Sequence, residues 1–202
     1  MSSSPQRTLW LLRHAKAVTD PPDGGDDFDR ALAPRGRRDA RALSHLIGRT
    51  GKGLDLGKVR LPEVALISPA ARTVATAELV LEGLTHPPRC EFHPDLYGAD
   101  PEEALAFVRA LGDEVSSVML VGHNPTAQAL ARGLISPDDK NGHDLVVRQG
   151  FPTCALAIFT LGLAAWPDIG IHSAHLAGLF TPPFETRQGQ GQPSSRRSAA
   201  SP

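Results

Sequence analysis

Four side chains that can bind or attack an anion occur shortly after three short apolar runs of the sequence: Arg13, His14, Arg72 and His123. A guanidinium group can bind two phosphoryl oxygens at once, and a neutral imidazole nitrogen is a competent nucleophile near neutral pH. Phosphoryl transfer depends on in-line positioning and charge neutralisation, and fixed arginine and histidine donors can supply both. These residue types therefore predict an anion site suited to phosphoryl chemistry, with no requirement for a metal ion or another cofactor.

The three apolar runs before these residues are predicted to be buried strands, at residues 9–12, 64–67 and 117–122. Longer helical patterns alternate with the runs, which is typical of a single α/β domain whose mostly parallel central sheet is flanked by helices. Ligands of an open parallel sheet bind beyond the carboxyl ends of its strands. Clustered cations repel one another without an anion, so a shared binding site explains these residues better than packing does.

The remaining pattern predicts four helices and three further strands. Helices are expected over residues 35–49, from Ser68 towards Leu84, over 101–111 and from Asn124 to about Leu134, and strands over 90–92, 153–161 and 172–180. Ser68 precedes a proline, and we expect its hydroxyl to cap the second of these helices, because serine accepts bonds from exposed N–H groups.

One domain is predicted over residues 8–185, with a flexible N-terminus at residues 1–7 and a disordered tail at residues 186–202. The tail is rich in Gln, Gly, Ser, Pro and Arg, a composition that cannot build a core. Between Asp20 and Asp29 the chain carries five aspartates among prolines and glycines. This acidic loop is predicted to be solvated, to lack regular structure and to lie at the mouth of the site.

The composition excludes several classes of protein. Lys+Arg 21 against Asp+Glu 22 gives a net charge of −1, and aromatic residues are only 5%, so neither nucleic acid nor a membrane is an expected partner. Cys90 and Cys154 are too few for a disulfide-rich secreted scaffold, and both are predicted to be small core residues. No apolar signal segment or membrane-spanning stretch is visible. We expect a cytoplasmic protein that works as a monomer.

Three ordered segments resemble the motifs of the histidine phosphatase superfamily, whose fold is phosphoglycerate mutase-like: LLRHAKA at 11–17, SPAARTVATAE at 68–78 and VGHNP at 121–125. The RHAKA spelling, the short chain and DFDRALAPRG at 27–36 are most similar to the branch of SixA phosphohistidine phosphatases. The resemblance covers roughly residues 8–165. Ala15 is a departure, because the superfamily usually has glycine there, and the extra methyl limits how closely backbone and phosphate can approach.

The resemblance implies a role for each residue of the predicted site. His14 would be the nucleophile that takes the phosphoryl group, and Arg13 and Arg72 would clamp the phosphate. His123 would be the second histidine, which holds the phosphoryl oxygens in the transition state. Arg30 matches an arginine of the SixA branch that can reach the same phosphate.

Many members of the superfamily protonate an alcohol leaving group with a carboxylate located after the second motif. In the comparable region of this chain the candidates are Asp100, Glu102 and Glu103, whose position at a helix start also suits capping and first-turn acids. A phosphorylated imidazole leaves more easily than an alkoxide, because its ring nitrogen can already be protonated. A site without an effective general acid would therefore agree with a phosphohistidine substrate.

The expected function is that of a metal-independent phosphatase that works through phospho-His14 and acts on phosphohistidine in a phosphorylated protein. A phosphatase for a small phosphorylated substrate, a phosphomonoester, stays open. A mutase is less favoured, because the short chain leaves little room to enclose a bisphosphate. A non-catalytic module that binds a phosphoprotein or phospholigand also stays open, although retention of both histidines and both clamp arginines argues against it.

Overall fold

A computed structural model describes residues 6–48 and 59–184 of the chain. The predicted disordered tail at residues 186–202 lies outside the described residues, as do residues 1–5. Arg7 is buried and begins the first strand, so it belongs to the sheet rather than to the predicted flexible N-terminus. No helix in the two described ranges is long and apolar enough to cross a membrane.

Within the described residues, six strands form one sheet: β1 (Arg7–Arg13), β2 (Val64–Ile67), β3 (Arg89–Phe92), β4 (Ser117–Gly122), β5 (Leu156–Leu161) and β6 (His175–Phe180). Their order across the sheet is β3-β2-β4-β1-β5-β6. β1 pairs in parallel with β4, β4 with β2, and β2 with β3, while β5 runs antiparallel to both β1 and β6. The sheet is therefore mixed but mostly parallel, which confirms the predicted class of fold.

Five α-helices of the described chain cover the two faces of this sheet: α1 (Pro34–Gly48), α2 (Ala71–Leu81), α3 (Pro101–Arg109), α4 (Thr126–Gly133) and α5 (Lys140–Gln149). Alternate residues of β1 enter two different cores. Leu9 and Leu11 share a core with residues of α3, α4 and α5, while Trp10 and Leu12 share a core with residues of α1 and α2. A strand that is covered on both faces is apolar throughout, which explains the continuous apolar run in the sequence.

Two helix predictions differ from the structure. α2 begins at Ala71, and its N-cap residue Ala70 makes no side-chain hydrogen bond, so the prediction that Ser68 caps this helix is wrong. α5 was not predicted, because only Gly142 and Val146 of its residues are buried and its apolar periodicity is therefore weak. Both differences arise where tertiary contacts rather than local pattern decide the structure.

The acidic loop is solvated, as predicted, but the predictions that it lacks regular structure and that Cys90 is a core residue are wrong. The loop contains a short 3-10 helix, Asp27–Asp29, which Asp26 caps through a hydrogen bond from the Phe28 N–H. Cys90 is exposed, because β3 is the edge strand of the sheet and only β2 pairs with it among the described strands. Cys154 is buried, as predicted.

Candidate active site

Main-chain hydrogen bonds hold the segment that leaves the end of β1. The His14 N–H donates to the Gly122 carbonyl at 3.0 Å, and the His14 carbonyl accepts from the Cys154 N–H at 3.0 Å. The Ala15 N–H donates to Thr76 Oγ1 at 2.9 Å, which ties the same segment to α2. Ala15 is fully buried, so its methyl group is accommodated by the core. The backbone of His14 is therefore fixed from both neighbouring strands and from one helix.

The His14 ring is held in one tautomer. Its Nδ1 lies 2.7 Å from the Ala15 carbonyl oxygen, which can only accept a hydrogen bond, so Nδ1 carries the proton. Nε2 is then unprotonated and keeps the lone pair that nucleophilic attack requires. Burial, together with the positive charges of nearby arginines, Arg72 first, lowers the pKa of His14 to about 4, although the hydrogen bond to Ala15 acts in the opposite direction. The ring is therefore neutral at pH 7.

His123 lies beside His14 and is anchored by Ser68. The ring centroids of the two histidines are 5.2 Å apart. The hydroxyl oxygen of the fully buried Ser68 lies 2.8 Å from His123 Nε2. Burial lowers the pKa of His123 to about 3, with His14 and Arg72 as further causes. Nδ1 of His123 is shielded from solvent and has no hydrogen-bond partner among the described residues.

Arg72 projects from the first turn of α2, and its side chain is nearly buried. Its guanidinium group donates twice to Asp27, from Nη1 to the main-chain oxygen at 2.5 Å and from Nη2 to Oδ2 at 2.8 Å. Tyr97 covers this group, with Arg72 Cζ 5.6 Å from the ring centroid. Arg72 thus connects the buried part of the site with the acidic loop.

Arg13 and Arg30 bring two further guanidinium groups to the surroundings of His14. Arg13 Nη1 donates to the Phe151 carbonyl at 2.8 Å, and burial lowers the pKa of Arg13. Arg30 Nη1 donates to Asp27 Oδ1 at 2.6 Å. Arg30 thus shares the Asp27 carboxylate with Arg72, and Arg13 directly precedes His14 in the chain. The positive charges of both arginines contribute to the lowered pKa of His14. All five predicted site residues therefore lie in one place, while their individual roles stay predictions.

The three carboxylates considered as general acids hold the start of α3. Asp100 accepts from the N–H groups of Glu102 at 2.8 Å and Glu103 at 2.9 Å. The Glu103 carboxylate accepts in return from the Asp100 N–H at 2.8 Å, which completes a capping box. Glu102 forms a salt bridge with Arg109, and this bond lowers the pKa of Glu102. Each carboxylate has a partner within the helix, in agreement with the capping interpretation.

Sequence reasoning missed two residues of the site, Asp27 and Tyr97, and the bond between Ser68 and His123. Tyr97 is the only tyrosine of the chain. Its hydroxyl donates to Asp27 Oδ2 at 2.6 Å, and its ring meets His123 edge-on with centroids 5.3 Å apart. The DFDR segment was visible in the sequence, but nothing in it shows that Asp27 turns towards an arginine 45 residues away.

Several cavities adjoin these residues, and two of them lie beside His123 or the acidic loop. One of about 110 Å³ lies beside His123 and is lined mainly by apolar side chains of β1, β4, α3 and α4. The other, of about 470 Å³, opens at the surface between Tyr97 and residues 26–29 of the acidic loop. Across the described residues, no group of three or more His, Cys, Asp or Glu side chains is arranged to hold a metal ion.

The chain is similar to two mycobacterial proteins. An uncharacterised protein of Mycobacterium tuberculosis is 34% identical over 175 residues, which cover 85% of this chain and 99% of the relative. An uncharacterised protein of Mycobacterium leprae is 32% identical over 173 residues, with the same coverage of both chains. No protein-family model matches the chain.

Solved structures with a similar fold include several that bear the name SixA. A protein of Nakamurella multipartitia assigned as phosphohistidine phosphatase SixA has a TM-score of 0.71 at 29% identity, over 90% of this chain and 99% of that chain. One from Agrobacterium tumefaciens, assigned in the same way, has a TM-score of 0.68 at 30% identity, over 87% and 98%. A protein histidine phosphatase SixA in complex with tungstate has a TM-score of 0.62 at 26% identity, over 87% and 97%.

The sheet, the converging arginines and histidines, and these similarities define an enzyme of the phosphatase class of hydrolases. The chain belongs to the histidine phosphatase superfamily, in the branch of SixA-like proteins.

Proposed function

We propose that this protein is a metal-independent phosphatase that removes the phosphoryl group from phosphohistidine in a protein, through an intermediate on His14. The observation that carries the proposal is the state of the His14 ring. The ring is neutral and donates from Nδ1 to the Ala15 carbonyl, so the lone pair of Nε2 is available, and the positive charges of three arginines act on the ring. The similar structures assigned as phosphohistidine phosphatases support the class of substrate.

In the proposed reaction, His14 Nε2 attacks the phosphorus atom and the bond between phosphorus and the substrate imidazole nitrogen breaks. The phosphoryl group moves to Nε2, while the electron pair of the broken bond stays on the substrate nitrogen. Water then attacks the phosphorus of phospho-His14, which releases inorganic phosphate and restores Nε2. The hydrogen bond from Nδ1 to Ala15 keeps the ring in line during both steps, and such positioning is a large part of phosphoryl-transfer catalysis.

The charge of the site suits a phosphoryl dianion. Arg13, Arg30 and Arg72 contribute three positive charges, and both histidines are neutral. The hydrogen bond from Tyr97 and the neighbouring arginines hold the pKa of Asp27 well below its usual range, so Asp27 contributes one negative charge. Two positive charges remain for the phosphoryl group. Donors that are already fixed stabilise its transition state without having to reorganise.

His123 is proposed to bind the phosphoryl oxygens through Nδ1. Ser68 occupies Nε2, and when the serine hydroxyl donates there, the proton of the neutral ring resides on Nδ1. A buried N–H without an acceptor costs free energy, and a phosphoryl oxygen would relieve that cost. The pair of Ser68 and His123 therefore supplies a directed donor in addition to the arginines.

The nearby carboxylates favour an imidazole leaving group over an alkoxide. The three candidates at the start of α3 are engaged in capping or in a salt bridge, and Asp27 is ionised. An alkoxide needs a proton as it departs, whereas a phosphorylated imidazole can be protonated on its second nitrogen beforehand. Phosphohistidine therefore has less need of a proton donor than a phosphate ester has, and these carboxylates are not free to be one.

A substrate panel tests the proposal. The purified full chain is incubated with a phosphohistidine protein, an aryl phosphate and sugar phosphates, each with and without EDTA. We expect phosphohistidine to be hydrolysed fastest and EDTA to have no effect. His14→Ala should lower turnover on the order of 10⁴-fold or more, because the covalent route is lost. His175→Ala, an exposed histidine of β6, is the matched control and should retain activity.

Three outcomes would contradict parts of the proposal. Much faster turnover of sugar phosphates than of phosphohistidine would show that the substrate is a small phosphomonoester. Loss of activity in EDTA would show a metal requirement. Binding of phosphate without turnover of any substrate would favour the non-catalytic module.

A further inference from the structure

We propose that Asp27 is a positioning residue that sets Arg72 and Arg30 as a pair around the substrate phosphate, with Tyr97 holding its carboxylate. The proposal rests on the proposed function, because it takes the two arginines to bind the phosphoryl group. Asp27 belongs to the acidic loop at the mouth of the site, and its contacts link that loop to α2.

One carboxylate connects the two guanidinium groups. Oδ1 accepts from Arg30 Nη1 at 2.6 Å, and Oδ2 accepts both from Arg72 Nη2 at 2.8 Å and from the Tyr97 hydroxyl at 2.6 Å. Two like charges this close repel each other unless a negative charge lies between them. Asp27 supplies that charge, so both arginines can occupy the same side of the site.

These bonds orient the guanidinium groups and still leave donors for a substrate. Each group has five N–H donors in a rigid plane. Arg72 gives two of them to Asp27, while Arg30 gives one to Asp27 and its Nε donor to the Val18 carbonyl at 2.8 Å. Two bonds fix the plane of each group, so the remaining donors point in set directions before phosphate arrives.

Capping of the short helix does not explain the Asp27 side chain. The cap of the helix Asp27–Asp29 is made by Asp26, which accepts from the Phe28 N–H at 2.7 Å. The reciprocal bond runs from the Asp26 N–H to Asp29 at 3.1 Å. The side-chain partners of Asp27 all lie outside this helix.

The alternative is that Asp27 competes with phosphate for Arg72. The geometry favours positioning, because Arg72 Nη1 also donates to the main-chain oxygen of Asp27, a bond that a competing carboxylate would not need. The Asp27 side chain is 53% exposed and that of Arg72 only 8% exposed. The carboxylate is therefore the more solvent-exposed partner, while the guanidinium group is nearly buried. In the proposal, the Arg72 donors that do not bond to Asp27 bind the phosphate at His14.

Direct binding of inorganic phosphate tests the proposal. Isothermal titration calorimetry is carried out on the full chain, on Asp27→Asn and Asp27→Ala, and on the matched control Asp23→Asn. Asp23 is an exposed aspartate of the same loop. Asp23→Asn therefore also removes one negative charge, but from a position away from the arginines. Loss of a negative charge alone would strengthen anion binding. We expect both Asp27 variants to weaken phosphate binding about tenfold instead, and Asp23→Asn not to weaken it.

A double-mutant cycle tests whether Asp27 acts through Arg30. Arg30→Ala is measured in the wild-type chain and in the Asp27→Ala background. The loss of phosphate affinity caused by Arg30→Ala should be smaller in that background, because Arg30 is then no longer oriented. Additive losses would contradict the proposed coupling.

The single tyrosine gives a spectroscopic check of the same network. The hydrogen bond to Asp27 raises the pKa of Tyr97, so this pKa should fall in Asp27→Ala. The ultraviolet absorbance of the phenolate measures the change, because no other tyrosine contributes. If Asp27→Ala does not fold, Asp27→Asn keeps the size of the side chain and serves for the binding measurement.

Stronger or unchanged phosphate binding in Asp27→Asn would overturn the proposal and assign Asp27 a competing or neutral role. Binding is measured without turnover, so the two proposals fail separately. A chain that binds phosphate as expected but hydrolyses no substrate would overturn the proposed function alone.

Discussion

The floor of the active site and its rim are held together by different interactions. The floor consists of His14, Ala15 and Ser68, where main-chain hydrogen bonds fix the histidine backbone and the serine is fully buried. The rim consists of the acidic loop and Tyr97, and its contacts are made by side chains that are partly exposed.

The two parts differ in what a single substitution can change. Main-chain hydrogen bonds of the floor do not depend on the identity of each side chain, so the position of the His14 backbone follows from the sheet itself. The rim depends on individual carboxylate, hydroxyl and guanidinium groups, and one substitution can remove several of its bonds. The backbone of His14 is therefore fixed by the fold, while the orientation of Arg30 and Arg72 depends on a few residues near solvent.

After the loss of His14 itself, the largest effect is expected at Arg72, whose nearly buried guanidinium group is bonded to Asp27 of the rim. Arg72→Ala should lower kcat/KM for an aryl phosphate about 10²–10³-fold, as for removal of one fixed oxyanion donor. The matched control is Arg109→Ala, which removes a guanidinium group that is paired with Glu102 on α3. A loss of less than about tenfold at Arg72 would contradict its place in the clamp.

His14 of the floor and the neighbouring His123 should also make the fold sensitive to acid. His14 and His123 have folded pKa values near 4 and near 3, below the ordinary value of 6.5. Between pH 6.5 and these folded values, the unfolded chain therefore binds more protons than the folded protein. The free energy of unfolding should therefore fall as the pH falls from about 6.5, by about 2 kcal/mol in total at pH 5 after allowance for partial exposure. Urea unfolding at pH 7 and pH 5 measures the change.

The control for this acid sensitivity is the double variant His14→Asn with His123→Asn. It should lose most of the pH dependence between pH 7 and pH 5, because asparagine does not titrate. An unchanged pH dependence in the double variant would show that other groups cause it.

A smaller effect is expected at Ser68. Ser68→Ala removes the partner of His123 Nε2, and kcat should fall about tenfold, the rate equivalent of one hydrogen bond, with little change in KM. Ser117→Ala is the matched control, because Ser117 is equally buried but lies at the first residue of β4, whereas His123 follows the last residue of that strand. If both variants lower kcat alike, the effect of Ser68 is one of general packing.

The smallest effect on activity is expected at the start of α3. Asp100→Ala should cost about 1 kcal/mol of stability, as for loss of a helix cap, and leave kcat/KM for an aryl phosphate unchanged. Thermal unfolding and steady-state kinetics on the same preparation separate the two results. A large drop in turnover with unchanged stability would instead make Asp100 the general acid.

The parts of the site that could be predicted from sequence are those marked by the pattern of the residues next to them in the chain. Arg13, His14 and His123 directly follow continuous apolar runs, and such runs predict buried strands whose ends meet at one edge of a sheet. The class of fold could be predicted for the same reason. The antiparallel direction of β5 could not, because a strand sequence carries no mark of its partner's direction.

The rim could not be predicted, because its contacts depend on the path of a loop in three dimensions. Asp27 and Tyr97 are 70 residues apart, and no periodic pattern relates them. Ser68 has a local signal, but that signal indicated a helix cap, whereas burial beside His123 gave its hydroxyl another partner. The exposed Cys90 shows the same limit, since a strand pattern does not reveal which strand lies at the edge.

The central position of β1 has a consequence for how the molecule opens. Strands that are paired on both sides and covered on both faces exchange their amide hydrogens mainly through global unfolding, whereas exposed loops exchange through local fluctuations. Hydrogen–deuterium exchange should therefore be slow at the amides of Arg13 and His14 and fast at residues 20–25 of the acidic loop. Under mild denaturant, the contacts that orient Arg30 and Arg72 should therefore be lost well before the backbone at His14 unfolds.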